Sequence, residues 1–236
     1  MIPAEFEYCA PDTLNEAVSR LAEGGEDAKP LAGGHSLIPL MKLRLAFPSL
    51  LVDLRRVPGL VGCSRSNGDF VIGAMTPHAT LEHSPELGLL SRAAATIADP
   101  QVRHRGTIGG SLVHGDPASD LPAVVLAAEG SLTVCGADGE RTIAAADFFE
   151  DYMETAVRQG EILTEVRMPA MDGWGFGYQK FNRRAEDWAM VAVSALVLAR
   201  DGVCEDIRVG LTHMGPTPLR ATAVEEALRG QPLDAD

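Results

Sequence analysis

Two short glycine turns are the residues of this sequence whose types and spacing could do chemistry. The first reads Ala32-Gly33-Gly34-His35-Ser36, and the second reads Thr107-Ile108-Gly109-Gly110-Ser111. Because glycine has no Cβ, consecutive glycines let backbone N–H groups point together at a ligand. Such amide clusters bind anions, phosphate above all, and a serine before a helix adds a hydroxyl and the helix N-terminus. The pair of turns predicts a diphosphate site, whereas either turn alone is better explained as a tight turn.

The charge around the turns favours an anionic ligand. The chain is acidic overall, with 33 Asp and Glu against 20 Lys and Arg and a net charge of −13. Yet no acid occurs between Ala28 and Val52 or between Pro100 and Gly115. The cations of these two windows are Lys29, Lys42, Arg44, Arg103 and Arg105. This local excess of cations supports phosphate binding, while the acidic composition argues against nucleic acid as a partner.

The cysteines and histidines do not form a site of their own. Cysteines stand at positions 9, 63, 135 and 204 without a CxxC pair, and the six histidines include no pair with metal-ligand spacing. We therefore expect no metal site, no iron–sulfur cluster and no catalytic triad in this chain. Scattered cysteines, an acidic N-terminus and no apolar stretch long enough for a bilayer predict a cytoplasmic protein.

The elements that must position the turns alternate irregularly, which predicts an α+β fold. A helix is expected from about Leu14 to Glu23, capped by Asp12 or Thr13, and a hairpin around Asn67-Gly68. Neither turn matches the GxGxxG or GxxxxGK[ST] pattern, so a Rossmann domain is not expected. The segment Pro169–Gly173 is typical of a linker and predicts a domain boundary near residue 170.

Several motifs in order resemble the FAD-binding medium subunit of molybdenum hydroxylases, the xanthine dehydrogenase family. The first turn lies within the similar segment Ala32–Arg44, and the second is followed by Asp116-Pro117-Ala118-Ser119-Asp120-Leu121-Pro122. Further likeness lies in Ile97–Arg103, Gly160–Thr164 and Tyr178–Phe181. The likeness is strongest to the carbon monoxide dehydrogenase branch of the family.

The resemblance implies a particular domain organisation. A two-lobed FAD-binding domain of the vanillyl-alcohol-oxidase (PCMH) type would cover residues 1–170, with lobes of about 1–57 and 58–170. A small α+β domain of the CO dehydrogenase flavoprotein C-terminal type would cover residues 175–236. Relatives continue beyond this length, so this second domain is expected to be incomplete and to expose apolar surface.

The resemblance also implies roles for residues of the two turns and their surroundings. Ala32 to Ser36 would wrap the diphosphate of FAD through backbone amides, with His35 contributing its amide, and Thr107 to Ser111 would grip it from the opposite side. Asp120 would hold the adenosine end or the second turn, and it could equally cap a helix that begins at Leu121.

Four residues outside the turns would contact the cofactor. Ile97 and Leu163 would pack on it, or they are ordinary core residues. Lys180 would approach the flavin ring, where a cation stabilises negative charge on the reduced ring. Trp188 would lie against the flavin, or it is a buried structural tryptophan.

The function implied is electron transfer within an oxidoreductase complex. The chain would hold noncovalent FAD and have no catalytic residue of its own. A large partner would carry the molybdenum cofactor, a small partner would carry [2Fe-2S] clusters, and FAD would pass electrons to an external acceptor. Aerobic, quinone-linked carbon monoxide dehydrogenase, as a dimer of heterotrimers, is the first expectation. A quinone acceptor would place the complex peripherally at the inner face of the membrane.

Other functions stay open at this point. The medium subunit could serve a nicotine, quinoline, aldehyde or purine hydroxylase, because the substrate binds on the large subunit. The chain could also be a self-sufficient flavin oxidase, although such an enzyme needs its own substrate pocket. A third alternative is a nucleotide-binding assembly module without flavin turnover.

Overall fold

The computed structural model describes residues 2–233. Residue 1 and residues 234–236, which fall within the two predicted domains, lie outside this range. Helices contain 28% of the residues and strands contain 34%. The predicted α+β class is confirmed. The strands form sheets of three, five, four and two strands.

The N-terminal sheet is parallel, with strand order β1-β3-β2. Its elements are β1 (Glu7–Cys9), α1 (Leu14–Gly24), β2 (Ala28–Leu31), α2 (Leu37–Lys42) and β3 (Leu50–Asp53). The predicted first helix is confirmed, and Thr13 caps it by accepting a hydrogen bond from the Glu16 N–H at 3.2 Å. Ala17, Val18 and Leu21 bury one face of α1 against the sheet, as their spacing predicts. The first glycine turn joins β2 to α2.

The second sheet is antiparallel, in the order β4-β5-β10-β6-β7. The elements of this region are β4 (Cys63–Ser66), β5 (Asp69–Gly73), α3 (His78–Glu82), α4 (Leu89–Ala94), α5 (Pro100–Arg103), α6 (Ile108–His114), α7 (Asp120–Ala127), β6 (Ser131–Gly136), β7 (Gly139–Ala144), β8 (Phe149–Asp151), β9 (Glu154–Thr155) and β10 (Ile162–Pro169). The hairpin around Asn67-Gly68 is confirmed as the β4–β5 turn, with Ser66 opposite Asp69. The second glycine turn opens α6.

The third sheet packs directly on α7. It comprises β11 (Trp174–Phe181), β12 (Val191–Arg200), β13 (Val203–Thr212) and β14 (Leu219–Arg220), followed by α8 (Thr222–Leu228). All eight residues of α7 are buried. Gly210 of β13 lies so close to α7 that a Cβ would stand 2.3 Å from the Ala123 carbonyl oxygen. One hydrophobic core therefore runs through α7 into the third sheet, where Tyr178 and Leu196 belong to it.

Strand β10 ends at Pro169 and β11 begins at Trp174, while the limits 1–170 and 175–236 stay predictions. The third sheet and its loops leave Phe176, Phe181, Met190 and Met214 more than half exposed. Across the described residues, every helix falls short of the length and hydrophobicity that crossing a bilayer requires.

Candidate functional site

Two cavities that share a lining residue lie beside the two glycine turns. The larger cavity, of about 280 Å³, is lined by both glycine turns, the start of α7, β11 and the loop that follows β11. The smaller, of about 60 Å³, is mostly apolar and lies between the turns and β10. Gly110 lines both cavities, so an extended ligand could run past this residue from one into the other.

The first turn presents backbone amides to the larger cavity. Gly33 and Gly34 line it together with His35 and Ser36. Gly34 has a φ of +74°, which glycine adopts without strain. Within residues 2–233, the N–H groups of residues 33–36 donate to no protein acceptor. The His35 ring is folded back, with Nδ1 3.1 Å from the Gly33 carbonyl oxygen. This turn therefore offers donors to an anion.

Gly33 sets the distance between the first turn and the Arg105–Gly106 segment, which precedes the second turn. A Cβ on Gly33 would stand 2.1 Å from the Arg105 carbonyl oxygen and 2.9 Å from the Gly106 Cα. Such approaches are closer than any side chain allows. Glycine is therefore required at position 33 for the two segments to touch.

The second turn differs from the expectation that its amides also face outward. The Ile108 N–H donates to the Thr76 carbonyl oxygen and the Gly109 N–H to that of Ala74, at 3.0 and 2.8 Å. The N–H groups of Gly110 and Ser111 are both bound to Thr107, the N-cap of α6. These bonds fasten α6 to the segment after β5, which a local sequence pattern does not reveal. The residues of this turn that line the larger cavity are Thr107, Gly110 and Ser111.

The lysines and arginines near the two turns in the sequence do not line the cavities. Lys29, Lys42, Arg44, Arg103 and Arg105 line neither cavity. Arg103 instead pairs with Glu82 at 2.7 Å and donates to the carbonyl oxygens of Ile97 and Ala98. The local excess of cations in the sequence therefore does not supply side chains that line the cavities, since proximity in sequence does not set side-chain direction. Among the lysines and arginines that the structure describes, the one that lines the larger cavity is Lys180.

Lys180 belongs to a buried polar cluster with Asp120 and Tyr178. Its Nζ lies 3.0 Å from Asp120 Oδ2, and the two side chains are 5% and 4% exposed. Tyr178 Oη donates to Asp120 Oδ1 at 2.5 Å. Burial, the largest influence, raises the pKa of the Asp120 carboxyl above its usual value, and Lys180 and Tyr178 oppose that rise. Asp120 thus lies at the same end of the site as Lys180, whereas Leu163 lines the smaller cavity.

His78 is a site residue that the sequence did not single out. It lines the larger cavity and is 5% exposed, and its buried Nδ1 has no hydrogen-bond partner among residues 2–233. A Cβ on Gly106 would stand 2.8 Å from the His78 ring. Burial, with smaller contributions from His35 and Arg103, lowers the pKa of His78 to about 4. The Pro77-His78 sequence carries only a helix-start signal, so burial and the missing partner could not be foreseen.

The remaining predicted residues divide between the cavities. Ile97 and Trp188 line the larger cavity, and Trp188 is 59% exposed, so it is not a buried structural tryptophan. Ala32 and Gly109 join Leu163 in the smaller cavity, and Ile108 is fully buried and lines neither. Other residues of the larger cavity were not predicted: Ala98, Val102, Gly106, His114, Ser119, Glu186 and Asp187.

The site fits a dinucleotide with an anionic centre. Within residues 2–233 the amides of residues 33–36 have no protein acceptor, Gly33 and Gly34 line the larger cavity, and Gly110 lines both cavities, each of which has apolar lining residues. Within the described residues, no group of three or more His, Cys, Asp or Glu could hold a metal ion. An α+β fold with such a site is that of a dinucleotide-binding protein.

Comparison with known proteins places the chain in a family. Residues 4–171 match the model of the FAD binding domain in molybdopterin dehydrogenase, and residues 176–236 match the CO dehydrogenase flavoprotein C-terminal domain. The chain belongs to this family of molybdopterin dehydrogenase FAD-binding proteins. The resemblance found in the sequence is thereby confirmed.

Individual relatives are similar over nearly the whole chain. The carbon monoxide dehydrogenase medium chain of Hydrogenophaga pseudoflava is 43% identical over 236 residues, which cover 98% of this chain and 82% of the relative. The 6-hydroxypseudooxynicotine dehydrogenase complex subunit alpha of Paenarthrobacter nicotinovorans is 41% identical over 234 residues, which cover 97% and 79%. A solved structure of H. pseudoflava carbon monoxide dehydrogenase that lacks the Mo-pyranopterin moiety matches with a TM-score of 0.96 and 45% identity, covering 100% of this chain and 84% of that one.

Proposed function

We propose that this chain is the flavoprotein subunit of a molybdenum hydroxylase of the carbon monoxide dehydrogenase type. It would hold FAD without a covalent bond and pass electrons from partner [2Fe-2S] clusters to an external acceptor. The observation that carries the proposal is the junction of the two cavities at Gly110, beside the unpaired amides of residues 33–36.

The shape of the site supports one orientation of FAD. The diphosphate would lie at the junction, bound by the amides of Gly33 to Ser36. The three-ring isoalloxazine needs the larger cavity, where Ile97 and Trp188 offer apolar and aromatic contacts. The smaller cavity, with Ala32 and Leu163, would take the adenosine end. In this arrangement Asp120 acts at the flavin end through Lys180, which replaces the adenosine role considered from the sequence.

The chain's own residues would position FAD and set its surroundings. When bound, FAD supplies the exchange of electrons, and the protein supplies orientation and electrostatics. Lys180 would offer an N–H to the ring edge, and the buried wall formed by His78 and Asp120 would exclude water. The exposed Trp188 at the mouth would cover the ring on the solvent side.

The proposed complex follows the relatives. A large subunit with the molybdenum cofactor would oxidise the substrate, and a small subunit would carry two [2Fe-2S] clusters. Carbon monoxide is the proposed substrate of that complex, in a dimer of heterotrimers that delivers electrons to a quinone at the inner face of the membrane. Identities of 43% and 41% to a carbon monoxide and a pyridine-alkaloid enzyme subunit differ little. A nicotine-type substrate is therefore the second candidate.

Purification of the chain with its native partners tests the proposal. We expect a complex with flavin and iron–sulfur absorption, FAD released by acid, and bleaching of both chromophores by carbon monoxide. Bleaching by a nicotine derivative instead would select the second candidate. A folded chain that contains no FAD and takes none up would refute the flavoprotein assignment.

A further inference from the structure

The ammonium group of Lys180 is held from two sides. Its Nζ donates to Asp120 Oδ2 at 3.0 Å and to the Thr96 carbonyl oxygen at 3.2 Å. An ammonium has three N–H donors, and within residues 2–233 the third has no protein partner. Because Lys180 lines the larger cavity and is only 5% exposed, that remaining N–H is the one left for a ligand.

The carboxylate of Asp120 is held just as firmly. Its two oxygens accept from different residues of β11, Oδ1 from Tyr178 and Oδ2 from Lys180. Asp120 is the first residue of the fully buried helix α7, whose N-terminus stabilises a negative charge. A buried carboxylate and a buried ammonium in contact compensate each other, and removal of one leaves the other uncompensated.

We propose that Asp120 and Tyr178 are positioning residues that make Lys180 an oriented, charge-compensated hydrogen-bond donor to the ring in the larger cavity. The inference rests on the proposed function, since it takes that ring to be the isoalloxazine of FAD. It differs from the expectation of a free cation beside the flavin, in which Asp120 would have no effect on the ring.

The two descriptions predict different flavin potentials. If Asp120 compensates Lys180, the variant Asp120→Asn exposes the ring to an unbalanced positive charge, and the midpoint potential rises. Asparagine keeps the shape and one acceptor oxygen, so the ammonium stays in place. The variant Lys180→Met leaves a negative charge and lowers the potential. If Lys180 were a free cation, Lys180→Met would still lower the potential, but Asp120→Asn would leave it unchanged.

Glu129 provides a matched control. It follows the other end of α7, about 13 Å along the helix axis from Asp120, and also pairs with cations of the third sheet, at 3.0 Å from Arg208 and 3.3 Å from Arg220. It lines neither cavity. The variant Glu129→Gln therefore removes an acid that pairs with the same sheet and should leave the flavin potential unchanged.

The test is a spectroelectrochemical titration of the full chain loaded with FAD, for the wild type and the three variants. The proposal expects Asp120→Asn above the wild type, Lys180→Met below it, and Glu129→Gln equal to it. A potential of Asp120→Asn equal to or below that of the wild type overturns the inference. A wild-type chain that binds no FAD overturns the proposed function instead.

A second variant decides the matter if Asp120→Asn does not fold. Tyr178→Phe keeps the packed ring and removes only the donor to Asp120 Oδ1. The carboxylate then carries more uncompensated charge, so the potential should fall by less than in Lys180→Met. An unchanged potential in Tyr178→Phe with FAD bound would contradict the positioning role.

Discussion

Replacement of Gly33 by alanine tests whether contact between the first turn and the Arg105–Gly106 segment forms the site. The added Cβ would stand 2.1 Å from the Arg105 carbonyl oxygen, whereas ordinary contacts begin at 3.4 Å. The two segments must therefore separate by about 1.3 Å if contact is to become ordinary. Hydrogen bonds from amide nitrogens to oxygen occupy roughly 2.7–3.2 Å. A displacement of this size would break the hydrogen bonds between the phosphates of FAD and the amides that move away from them.

The loss of affinity follows from the number of bonds broken. A hydrogen bond to a charged group contributes about 1.5–3 kcal/mol. Loss of two of the four available amide contacts would cost about 3–6 kcal/mol, or roughly a 10²–10⁴-fold weaker dissociation constant. We expect Gly33→Ala to fold, since the turn lies at the surface of the site, and to bind FAD within this weakened range.

Fluorescence titration of the FAD-free chain with FAD measures the effect. The control is Gly177→Ala, because a Cβ at Gly177 of β11 meets nothing within 4 Å and its φ is not positive. Thermal unfolding of both variants separates a local change from a loss of fold. Wild-type affinity in a folded Gly33→Ala protein would refute the reasoning that this contact builds the phosphate site.

Three further outcomes are expected. Gly110→Asp should abolish retention of FAD on gel filtration, because its carboxylate would lie at the cavity junction; normal flavin content would contradict the site. Burial lowers the pKa of His78 from 6.5 to about 4. As the pH falls through this range, the unfolded chain takes up a proton on His78 that the folded chain does not, so the folded state loses stability. Between pH 7 and pH 5, the free energy of unfolding measured in urea should fall by about 2 kcal/mol less in His78→Leu than in the wild type. An equal fall in both proteins would contradict this prediction. Glu225→Ala should cost about 3 kcal/mol in urea unfolding, since it removes the buried carboxylate that accepts from Arg220 and from the Val209 N–H, both at 2.7 Å, and leaves Arg220 only the exposed Glu129; a neutral effect would contradict this.

Local signals account for much of the secondary structure. Short segments of sequence are enough to predict the Thr13 cap, the apolar face of α1 and the Asn67-Gly68 turn, because each depends on residues a few positions apart. The same holds for the first glycine turn, whose Gly34 adopts a positive φ. These are features that neighbouring residues decide.

The hydrogen bonds of the second turn could not be predicted from the residues near it in the sequence. Its amides bind Thr76, Ala74 and Thr107, and the first two partners become available only because α6 docks against the segment that follows β5. Arg103 likewise turns to Glu82, 21 residues away, and not to the site. A window of sequence contains the donors and cations but not the acceptors that compete for them.

By itself, the sequence determined the α+β class, the glycine turns and the absence of metal-ligand spacing among its cysteines and histidines, because these depend on residue type and short-range order. Its motifs, taken in order, were enough to indicate the family. Only the tertiary structure decided which turn keeps amides without a protein acceptor in the described part of the chain, that the buried Nδ1 of His78 finds no partner there, and that Asp120 meets Lys180 across 60 positions. The physical reason is that long-range packing brings each group to its surroundings: α6 docks on the segment after β5, Gly106 packs on the His78 ring, and the third sheet packs on α7 and buries Asp120 with Lys180.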